Sequence, residues 1–294
     1  MERCDWADLP EAVHREVERR CGPIGAIDPV AAGMNNALTC VVHTGEGACF
    51  LKGAPTSSPT AWMFRNEIAA AAAGAPGPSL VWSADVDGWM LLCWQYVRGR
   101  HPDLAPGSGD LASIAAALWE LAALPPLAVT SSFAPQTRRW EQMQPWRHLV
   151  ADPPEHVDPW VKSNVDNFAA AEYDALQVLT GTHLAHTDLH ERNLLIDDRQ
   201  ATLIDWAWAR PGAPWLDTEL LTVRLVAAGH TCEQADRWRR QHLPLPDLAL
   251  DLRRAFAIEM LGVWLYLSRR RPQHRLFADM ASVALRWAQY LDDR

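Results

Sequence analysis

The sequence lacks the marks of several large classes of protein. Its longest apolar runs, such as residues 68–73, fall far short of the roughly 20 residues that a membrane-spanning helix needs. Residues 1–5 lack the basic segment followed by an apolar segment that begins a signal peptide. A nucleic-acid surface needs a basic stripe, whereas this chain has a formal net charge of −9. We therefore expect a cytoplasmic protein that binds neither nucleic acid nor a membrane.

Cysteine and lysine are both sparse. The six cysteines contain no C-x-x-C pair and no clustered spacing, so their spacing predicts neither a zinc site nor a disulfide framework. The only lysines are Lys52 and Lys162, which makes a lysine at a meaningful position conspicuous. By contrast, apolar residues make up 49% of the chain, which is ample for a hydrophobic core.

The residue pattern changes near residue 97. Residues 25–97 contain the apolar runs and turn signals of about five antiparallel strands with one inserted helix. Beyond residues 98–102 the apolar residues mostly follow the helical period. We therefore predict an α+β, bilobal fold with a sheet-rich N-lobe (residues 1–97) and a mainly helical C-lobe (residues 98–294). The predicted helices cover about 8–20, 59–74, 110–124, 136–149, 159–179, 215–229, 232–241, 247–270 and 275–291, and the N-lobe strands cover about 26–32, 37–43, 48–53, 80–82 and 89–97.

One stretch of the predicted C-lobe interrupts the helices. Residues 194–196 and 201–204 have the pattern of two short strands joined by a polar turn. A hairpin brings its two ends together, so Asn193 and Asp205 should lie side by side, with Asp188 just upstream. Oxygen ligands of this kind suit Mg²⁺, which is a hard cation. The stretch therefore predicts a phosphoryl-transfer site.

The residues of this stretch resemble those of a known family. The segment HTDLHERN at residues 186–193, followed by IDW at residues 204–206, is similar to the H-G-D-L-H-x-x-N and I-D-[WF] segments of aminoglycoside phosphotransferases and, more distantly, of protein kinases. The resemblance implies that Asp188 accepts or orients the proton of the attacking hydroxyl and that His186 braces the loop. It also implies that Asn193 and Asp205 hold the Mg²⁺ ions that bridge the phosphates of ATP or GTP.

The resemblance extends upstream, where it implies the nucleotide-binding residues. Lys52, on the third predicted strand, matches the lysine that contacts the α- and β-phosphates. Glu67, on the following helix, matches the glutamate that pairs with this lysine. Each residue on its own would more often be an exposed surface charge.

Two further segments match the nucleotide site by position. Backbone groups of Gln95 and Val97 stand where an interlobe hinge would meet adenine. The loop from Gly33 to Asn36 stands where a phosphate-covering loop belongs, although it has a single glycine instead of G-x-G-x-x-G. The same segments could also be a buried strand end and an ordinary turn.

Three departures from the family pattern surround the catalytic loop. Thr187 replaces the usual glycine after the histidine, and Glu191 with Arg192 replaces a common Pro-Gly. None of the three removes a catalytic group. Asp217 matches a family aspartate that braces the loop, although a helix cap would explain it equally well.

The acceptor is expected to be small. Asp217 follows Asp205 by only twelve residues, which leaves no room for the activation loop of a protein kinase. We expect a small hydroxyl-bearing substrate, above all an aminoglycoside or another antibiotic; choline-like, homoserine-like and sugar acceptors stay open. The acidic chain would also suit a cationic substrate, for which Asp174, Glu191 and Glu219 are candidate contacts.

Two other classes compete with this interpretation. A metal-dependent hydrolase could use the closely spaced His183, His186, Asp188 and His190, but it would leave Lys52 unexplained. The second class is a non-catalytic, kinase-like nucleotide-binding protein.

Overall fold

The structure is a computed structural model that describes residues 3–30, 36–128, 132–133, 142–153, 157–245 and 247–294. It contains an N-terminal antiparallel sheet and a helical C-terminal part, as the α+β prediction requires. None of the helices within these ranges is long and apolar enough to cross a membrane.

The N-terminal sheet has five strands in the order β1-β2-β3-β5-β4, and every neighbouring pair is antiparallel. The strands are β1 Ile24–Pro29, β2 Leu38–Thr44, β3 Gly47–Pro55, β4 Leu80–Val86 and β5 Trp89–Gln95. The turn between β4 and β5 contains Asp87 and Gly88, both at positive φ (46° and 78°). Such an Asp-Gly pair favours the tight hairpin that joins β4 to β5.

One helix covers each face of this sheet. On one face, α1 (Glu11–Cys21) packs Val13 and Val17 against Leu51 and Leu91. On the other face, α2 (Ala61–Ala72) packs Phe64 against a cluster that includes Ala54, Met90, Leu92 and Trp94. Because side chains alternate along a strand, Lys52 of β3 points toward α2, whereas Leu51 points toward α1.

The C-terminal part consists mainly of helices around a large apolar core, which includes the fully buried Trp146 and Trp287. In the last helix, residues with a spacing of three or four face this core, as an amphipathic helix requires. The helices are α3 Asp110–Ala122, α4 Pro145–Ala151, α5 Pro159–Gln177, α6 Leu216–Ala227, α7 Cys232–His242, α8 Leu250–Arg270 and α9 Arg275–Asp292. The short strands are β6 His183–Ala185, β7 Leu194–Asp197, β8 Gln200–Leu203 and β9 Arg210–Gly212.

The segment that follows β5 is attached to the predicted catalytic hairpin. Arg100 donates its backbone N–H to the carbonyl of Ile196 (3.1 Å), and the N–H of Ile196 donates to the carbonyl of Arg100 (2.7 Å). Gly99 makes this contact possible, because its φ is +151° and a Cβ there would lie 2.9 Å from the oxygen of Ile196. The strand end at Gln95 is therefore held close to the hairpin β7–β8.

The local structure departs from the sequence predictions at three places. The first helix begins at Glu11, because Pro10 is its N-cap in an extended conformation; residues 6–8 form a separate short turn. Of the predicted helix over 136–149, residues 136–141 lie outside the described residues, and the helix that is described is α4. The pair β6–β9 was not predicted, because strands of three residues are too short to show a period of two.

Cysteine spacing along the chain also proved a poor guide to cysteine positions. The sulfur atoms of Cys21, Cys49 and Cys93 all lie within 4.8 Å of one another, although the residues are far apart in sequence. A hydrogen bond with Cys93 lowers the pKa of Cys49 to about 7; burial opposes this shift, and a hydrogen bond with Cys21 adds to it.

Candidate active site

The buried amine of Lys52 joins the two parts of the chain. Its Nζ atom lies 3.0 and 2.9 Å from the two carboxylate oxygens of Glu67, so the predicted Lys–Glu pair is present. The same atom lies 3.1 Å from Oδ1 of Asp205. Strand β3, helix α2 and the end of the hairpin β7–β8 therefore meet at one ammonium group.

The electrostatics of this group follow from its burial. Burial alone would lower the pKa of Lys52, but the carboxylates of Asp205 and Glu67 raise it above the ordinary value. Burial raises the pKa of Glu67 to about 7 against the opposing effect of Lys52. For Asp205, burial also acts to raise the pKa, yet the ammonium of Lys52 outweighs it and lowers the pKa. Lys52 and Asp205 are therefore charged at neutral pH.

Helix α2 is fastened directly to the segment that follows Asp205. Asn66, which is fully buried, donates from its amide nitrogen to the carbonyls of Ala207 (3.0 Å) and Ala209 (2.5 Å). The rings of Trp62 and Trp208 add an edge-to-face contact with centroids 5.1 Å apart. These contacts help keep the carboxylates of Glu67 and Asp205 next to the ammonium group of Lys52. Sequence reasoning missed Asn66, and only its position beside Glu67 could have drawn attention to it.

The catalytic loop is fixed by a buried aspartate. The carboxylate of Asp217 accepts hydrogen bonds from the backbone N–H groups of His186 (2.7 Å) and Thr187 (2.9 Å). Burial raises the pKa of Asp217, and His186 together with the two N–H groups opposes this shift. Of the two explanations open from sequence, the structure shows Asp217 bracing the loop from the start of α6.

His186 links the loop to the end of the hairpin. Its Nε2 lies 3.0 Å from the carbonyl oxygen of Ile204, which can only accept, so Nε2 carries the proton. Its Nδ1 is then free to accept the backbone N–H of Asp188 at 3.3 Å. The ring is fully buried and lies against Trp206, with centroids 4.6 Å apart. His186 therefore holds Asp188 beside the strand that leads to Asp205.

Asn193 and Asp188 are bonded to each other. The amide nitrogen of Asn193 donates to the backbone oxygen of Asp188 (2.8 Å) and to its carboxylate Oδ2 (3.2 Å). The ring of His190 approaches the other carboxylate oxygen, at 3.7 Å. Burial raises the pKa of Asp188, and electrostatic interactions with His190 and His186 oppose this effect. A carboxylate with a raised pKa accepts a proton more readily than an ordinary one.

The donor set in this region fits a hard cation. Ile204 donates its N–H to the carbonyl of Asn193 (3.0 Å), so Asn193 and Asp205 flank the same hydrogen bond, as a hairpin predicts. The amide nitrogen of Asn193 is used by Asp188, which leaves the amide oxygen to bind a cation. The side chain of Asp205 remains 36% exposed despite its contact with Lys52. An amide oxygen and a carboxylate are ligands that Mg²⁺ accepts.

The unusual Thr187 is accommodated by a hydrogen bond. Its φ is 60°, in the left-handed region that a β-branched residue rarely adopts. Its hydroxyl donates to the backbone oxygen of Trp208 at 2.7 Å. Asp205 also lies in the left-handed region, with φ 63° and ψ 65°. Two strained backbone positions therefore flank the candidate site.

The structure describes only some of the remaining residues that are predicted to contact the nucleotide. The backbone N–H of Gln95 donates to the carbonyl of Ser79 (2.9 Å), so this N–H is already used within the chain. Asn36 is half-buried just before β2. Gly33, like residues 31–35 as a whole, lies outside the described residues.

The structure also sorts the candidates for a cationic substrate. Glu219 is fully buried between Arg239 and Arg253, so it has no surface to offer a ligand. Glu191 is exposed beside the catalytic loop, and Asp174 is exposed on α5. The guanidinium of Arg224, on α6, lies close enough to Asp188 and Glu191 to be influenced by both; burial lowers its pKa and the two carboxylates oppose this.

The structure does not support the zinc site that a metal-dependent hydrolase would need. Within the described part of the chain, the three cysteines are the only group of potential ligands whose atoms converge. Both ring nitrogens of His186 are engaged by backbone groups, and Nδ1 of His190 accepts the N–H of Arg192 (3.1 Å). These imidazoles therefore do not form a three-ligand zinc centre.

Known proteins resemble this chain in sequence and in fold. The sequence model of the phosphotransferase enzyme family matches residues 26–249. No curated protein matches the chain.

Similar solved structures include three kinases of small molecules. A thermostable mutant of aminoglycoside phosphotransferase APH(4)-Ia, in a ternary complex with AMP-PNP and hygromycin B, has a TM-score of 0.64 and 16% identity; the match covers 96% of this chain and 98% of that one. Choline kinase LicA from Streptococcus pneumoniae has a TM-score of 0.61, 12% identity and coverages of 95% and 98%. An aminoglycoside phosphotransferase from Alicyclobacillus acidocaldarius has a TM-score of 0.60, 16% identity and coverages of 97% and 96%. At identities this low, the structural similarity shows a shared fold and nothing more specific.

Proposed function

We propose that this chain, which belongs to the phosphotransferase enzyme family, moves the γ-phosphate of ATP to a hydroxyl group of a small molecule. The main support is the contact of Lys52 with both Glu67 and Asp205, next to a loop on which Asn193 holds Asp188. Phosphoryl transfer depends on positioning and on neutralising negative charge, and these residues provide groups for both.

Asp188 acts as the catalytic base in this proposal. The loop around it is fastened by Asp217 and His186, so its carboxylate is held in one orientation. Its raised pKa favours acceptance of the proton that the acceptor hydroxyl loses as its oxygen attacks phosphorus. Asn193, which donates to the same carboxylate, keeps it in place.

The other residues bind the nucleotide. Lys52 contacts the α- and β-phosphates, and Glu67 keeps its ammonium directed into the cleft between the proposed lobes, residues 1–97 and 98–294. Asn193 and Asp205 hold Mg²⁺, which neutralises charge on the phosphates when bound. In the proposed site the N–H of Val97 and the carbonyl of Gln95 meet adenine. Asn36 is the only described residue of the segment 33–36, which we assign to the phosphates by its position in the sequence.

The acceptor that we favour is an aminoglycoside or another amine-bearing antibiotic. The similar structures include complexes with hygromycin B and with spectinomycin, which supports this class. The exposed carboxylate of Glu191 beside the catalytic loop could contact a substrate amine. Choline is the main alternative, because the choline kinase matches the fold about equally well.

A panel screen tests the proposal. The full chain is incubated with Mg-ATP or Mg-GTP and with aminoglycosides, spectinomycin, choline, homoserine and simple sugars, and phosphorylated products are detected by mass. We expect one class to gain a phosphoryl group, and Asp188→Asn to abolish the product. Binding of Mg-ATP without any product across the panel would favour the non-catalytic alternative, and absence of both would refute the proposal.

A further inference from the structure

Three cysteine side chains meet on the face of the N-terminal sheet that lies away from the candidate active site. Cys49 and Cys93 are on the neighbouring strands β3 and β5, where Cys49 pairs with Gln95 and Leu51 pairs with Cys93. The two cysteines are therefore diagonal neighbours on one face. Cys21 is the last residue of α1, the helix that covers this face. Strands β3 and β5 and the end of α1 therefore contribute one thiol each to the same cluster.

The separations of the sulfur atoms match those of a metal-thiolate site. The Sγ atoms of Cys21 and Cys49 are 3.8 Å apart, and all three sulfurs lie within 4.8 Å of one another. In a tetrahedral site with Zn–S bonds of about 2.3 Å, two sulfur ligands lie about 3.8 Å apart. The backbone therefore already presents the three sulfurs at nearly the spacing that a bound ion requires, and small rotations of the side chains would complete it.

The surroundings allow an ion to enter. Cys93 is fully buried, whereas Cys21 and Cys49 are only half-buried, so the cluster has an open side. Trp82, which pairs with Cys93 across β4 and β5, directs its indole N–H to the thiol of Cys21. An N–H donor beside thiolates stabilises their negative charge, as ligands around a metal usually require.

We propose that Cys21, Cys49 and Cys93 form a three-thiolate site for a thiophilic metal ion, represented by Zn²⁺, with a solvent molecule as the fourth ligand. Each thiol releases its proton as its sulfur binds the ion, so that a divalent ion replaces up to three protons. The ion ties the end of α1 to β3 and β5. The site is separate from Lys52, whose side chain lies on the opposite face of the sheet, and it does not depend on the proposed phosphotransferase activity.

Metal titration of the full chain tests the site. The protein is freed of metal with a chelator, kept reduced with a non-thiol reductant and titrated with Co²⁺. The bound Co²⁺ is then displaced with Zn²⁺. We expect one Co²⁺ per chain with sulfur-to-metal charge-transfer absorption, and its loss on addition of Zn²⁺. We also expect Zn²⁺ to raise the Tm of the wild type, because the ion binds the folded state preferentially.

Single substitutions assign the ligands. Changes near a metal site cost roughly 10–100-fold in affinity, so removal of a sulfur ligand in Cys21→Ala or Cys49→Ala should weaken binding by at least about 100-fold. Cys232→Ala removes a half-buried cysteine of α7 and serves as the matched control; it should bind like the wild type. The two half-buried positions are used because substitution of the buried Cys93 could unfold the chain, and metal-free Tm values verify folding.

Three outcomes would overturn the proposal. One is the absence of charge-transfer absorption at stoichiometric Co²⁺. Another is equal weakening by Cys232→Ala, which would indicate binding to scattered thiols. The third is unchanged affinity in both Cys21→Ala and Cys49→Ala. If the acceptor screen fails while the titration succeeds, the phosphotransferase proposal falls and the metal site stands.

Discussion

Buried charges occur in two regions of the molecule that differ in their charge balance. At the candidate active site, one cation, Lys52, faces two carboxylates, Glu67 and Asp205. Among the C-terminal helices, Glu219 contacts Arg239 and Arg253, and Arg253 also contacts Asp236 at 2.7 Å. The first cluster has one basic and two acidic side chains, and the pKa of about 7 for Glu67 leaves its negative charge partial at neutral pH. The four buried members of the second cluster are two acids and two arginines, and the more exposed Arg240 and Arg294 also contact Asp236.

The two clusters also differ in access to solvent. The side chains of Glu219 and Arg239 are 0% exposed and that of Arg253 is 7% exposed, so this cluster is closed. At the active site, Asp205 keeps 36% of its side chain exposed. A carboxylate on an open side is suited to a bound cation, whereas a closed cluster in which each acid contacts an arginine needs no ligand. Burial of charge alone therefore does not identify a site; access from solvent is needed as well.

The largest expected effect is at Asp188, which lies next to the open cluster, the partly exposed group of Lys52, Glu67 and Asp205 at the candidate active site. Asp188→Asn keeps the shape of the side chain but removes the base, and a general base contributes about 10²–10⁴-fold to a rate. We expect kcat for acceptor phosphorylation to fall by this amount with little change in Tm. Asp197→Asn, at an exposed position of the same hairpin, is the matched control and should keep full activity. A loss of less than tenfold in Asp188→Asn would rule out its assigned role.

The closed cluster should respond in the opposite way, through stability. Glu219→Gln leaves Arg239 and Arg253 without their shared carboxylate, and breaking a buried pair costs about 3–5 kcal/mol. The free energy of unfolding, measured with denaturant, should fall by that amount. Glu233→Gln breaks the exposed i,i+4 pair with Arg237 and should cost at most about 1 kcal/mol. Equal effects of the two changes would contradict the distinction between closed and exposed pairs.

Lys52→Met tests whether the open cluster serves a ligand. A hydrogen bond to a charged group contributes about 1.5–3 kcal/mol, so affinity for Mg-ATP should fall roughly 10–150-fold in a calorimetric titration. The chain provides its own control, because Lys162 is exposed on α5 and Lys162→Met should leave binding unchanged. If Lys52→Met bound Mg-ATP normally, the ammonium would be a structural counter-ion like Arg239.

The sequence was sufficient to predict these site residues as far as they follow from local pattern. The hairpin bonds Asn193 to Ile204, the residue before Asp205, and the Asp-Gly turn before β5 leads into the strand that pairs with β3. The Lys52–Glu67 pair was predicted from the resemblance to the family, because each residue on its own would more often be an exposed surface charge. The assigned roles of these residues remain predictions.

The contacts that join distant segments could not be predicted from local pattern. Asn66 fastens α2 to Ala207, 141 residues further along the chain. The sulfurs of Cys21, Cys49 and Cys93 converge only because β3 and β5 are neighbours beneath the end of α1. Glu219 was a candidate for substrate binding until two arginines from other helices were found around it. In each case one partner looks ordinary in sequence, and tertiary packing decides its role.

Glu259 is a buried acid that belongs to neither cluster. Glu259 is 2% exposed, and neither carboxylate oxygen has a partner among the described residues. Burial raises its pKa to about 8, and nearby Glu172 adds to the shift. The folded chain then keeps this proton up to about pH 8, whereas the unfolded chain loses it near 4.5, the ordinary value.

Stability should therefore fall as pH rises between these two values, by at most about 1.4 kcal/mol per pH unit from this group. Glu259→Gln imitates the protonated form and should flatten that part of the pH profile of unfolding free energy. The control variant Glu233→Gln, at an exposed position, should leave the pH profile of unfolding free energy unchanged. An identical slope in the wild type and Glu259→Gln would show that Glu259 is ionised in the fold.

The smallest expected effect concerns backbone strain, which also separates the two clusters. Every member of the closed cluster lies in a helix, whereas Thr187 and Asp205 at the open site have positive φ. A non-glycine residue in the left-handed region costs about 1–2 kcal/mol. The hydroxyl of Thr187 offsets part of this cost through its bond to Trp208, which contributes about 0.5–1.5 kcal/mol.

The substitutions Thr187→Ala and Thr187→Gly separate strain from hydrogen bonding. Thr187→Ala keeps the strain and loses the bond, so it should destabilise the chain by about 1 kcal/mol. Thr187→Gly loses the same bond but relieves the strain, so it should lie within about 1 kcal/mol of the wild type. Denaturant unfolding of both variants measures the difference. If glycine proved less stable than alanine, the loop would not be strained at this position, and the open site would be distinguished from the closed cluster by charge and access alone.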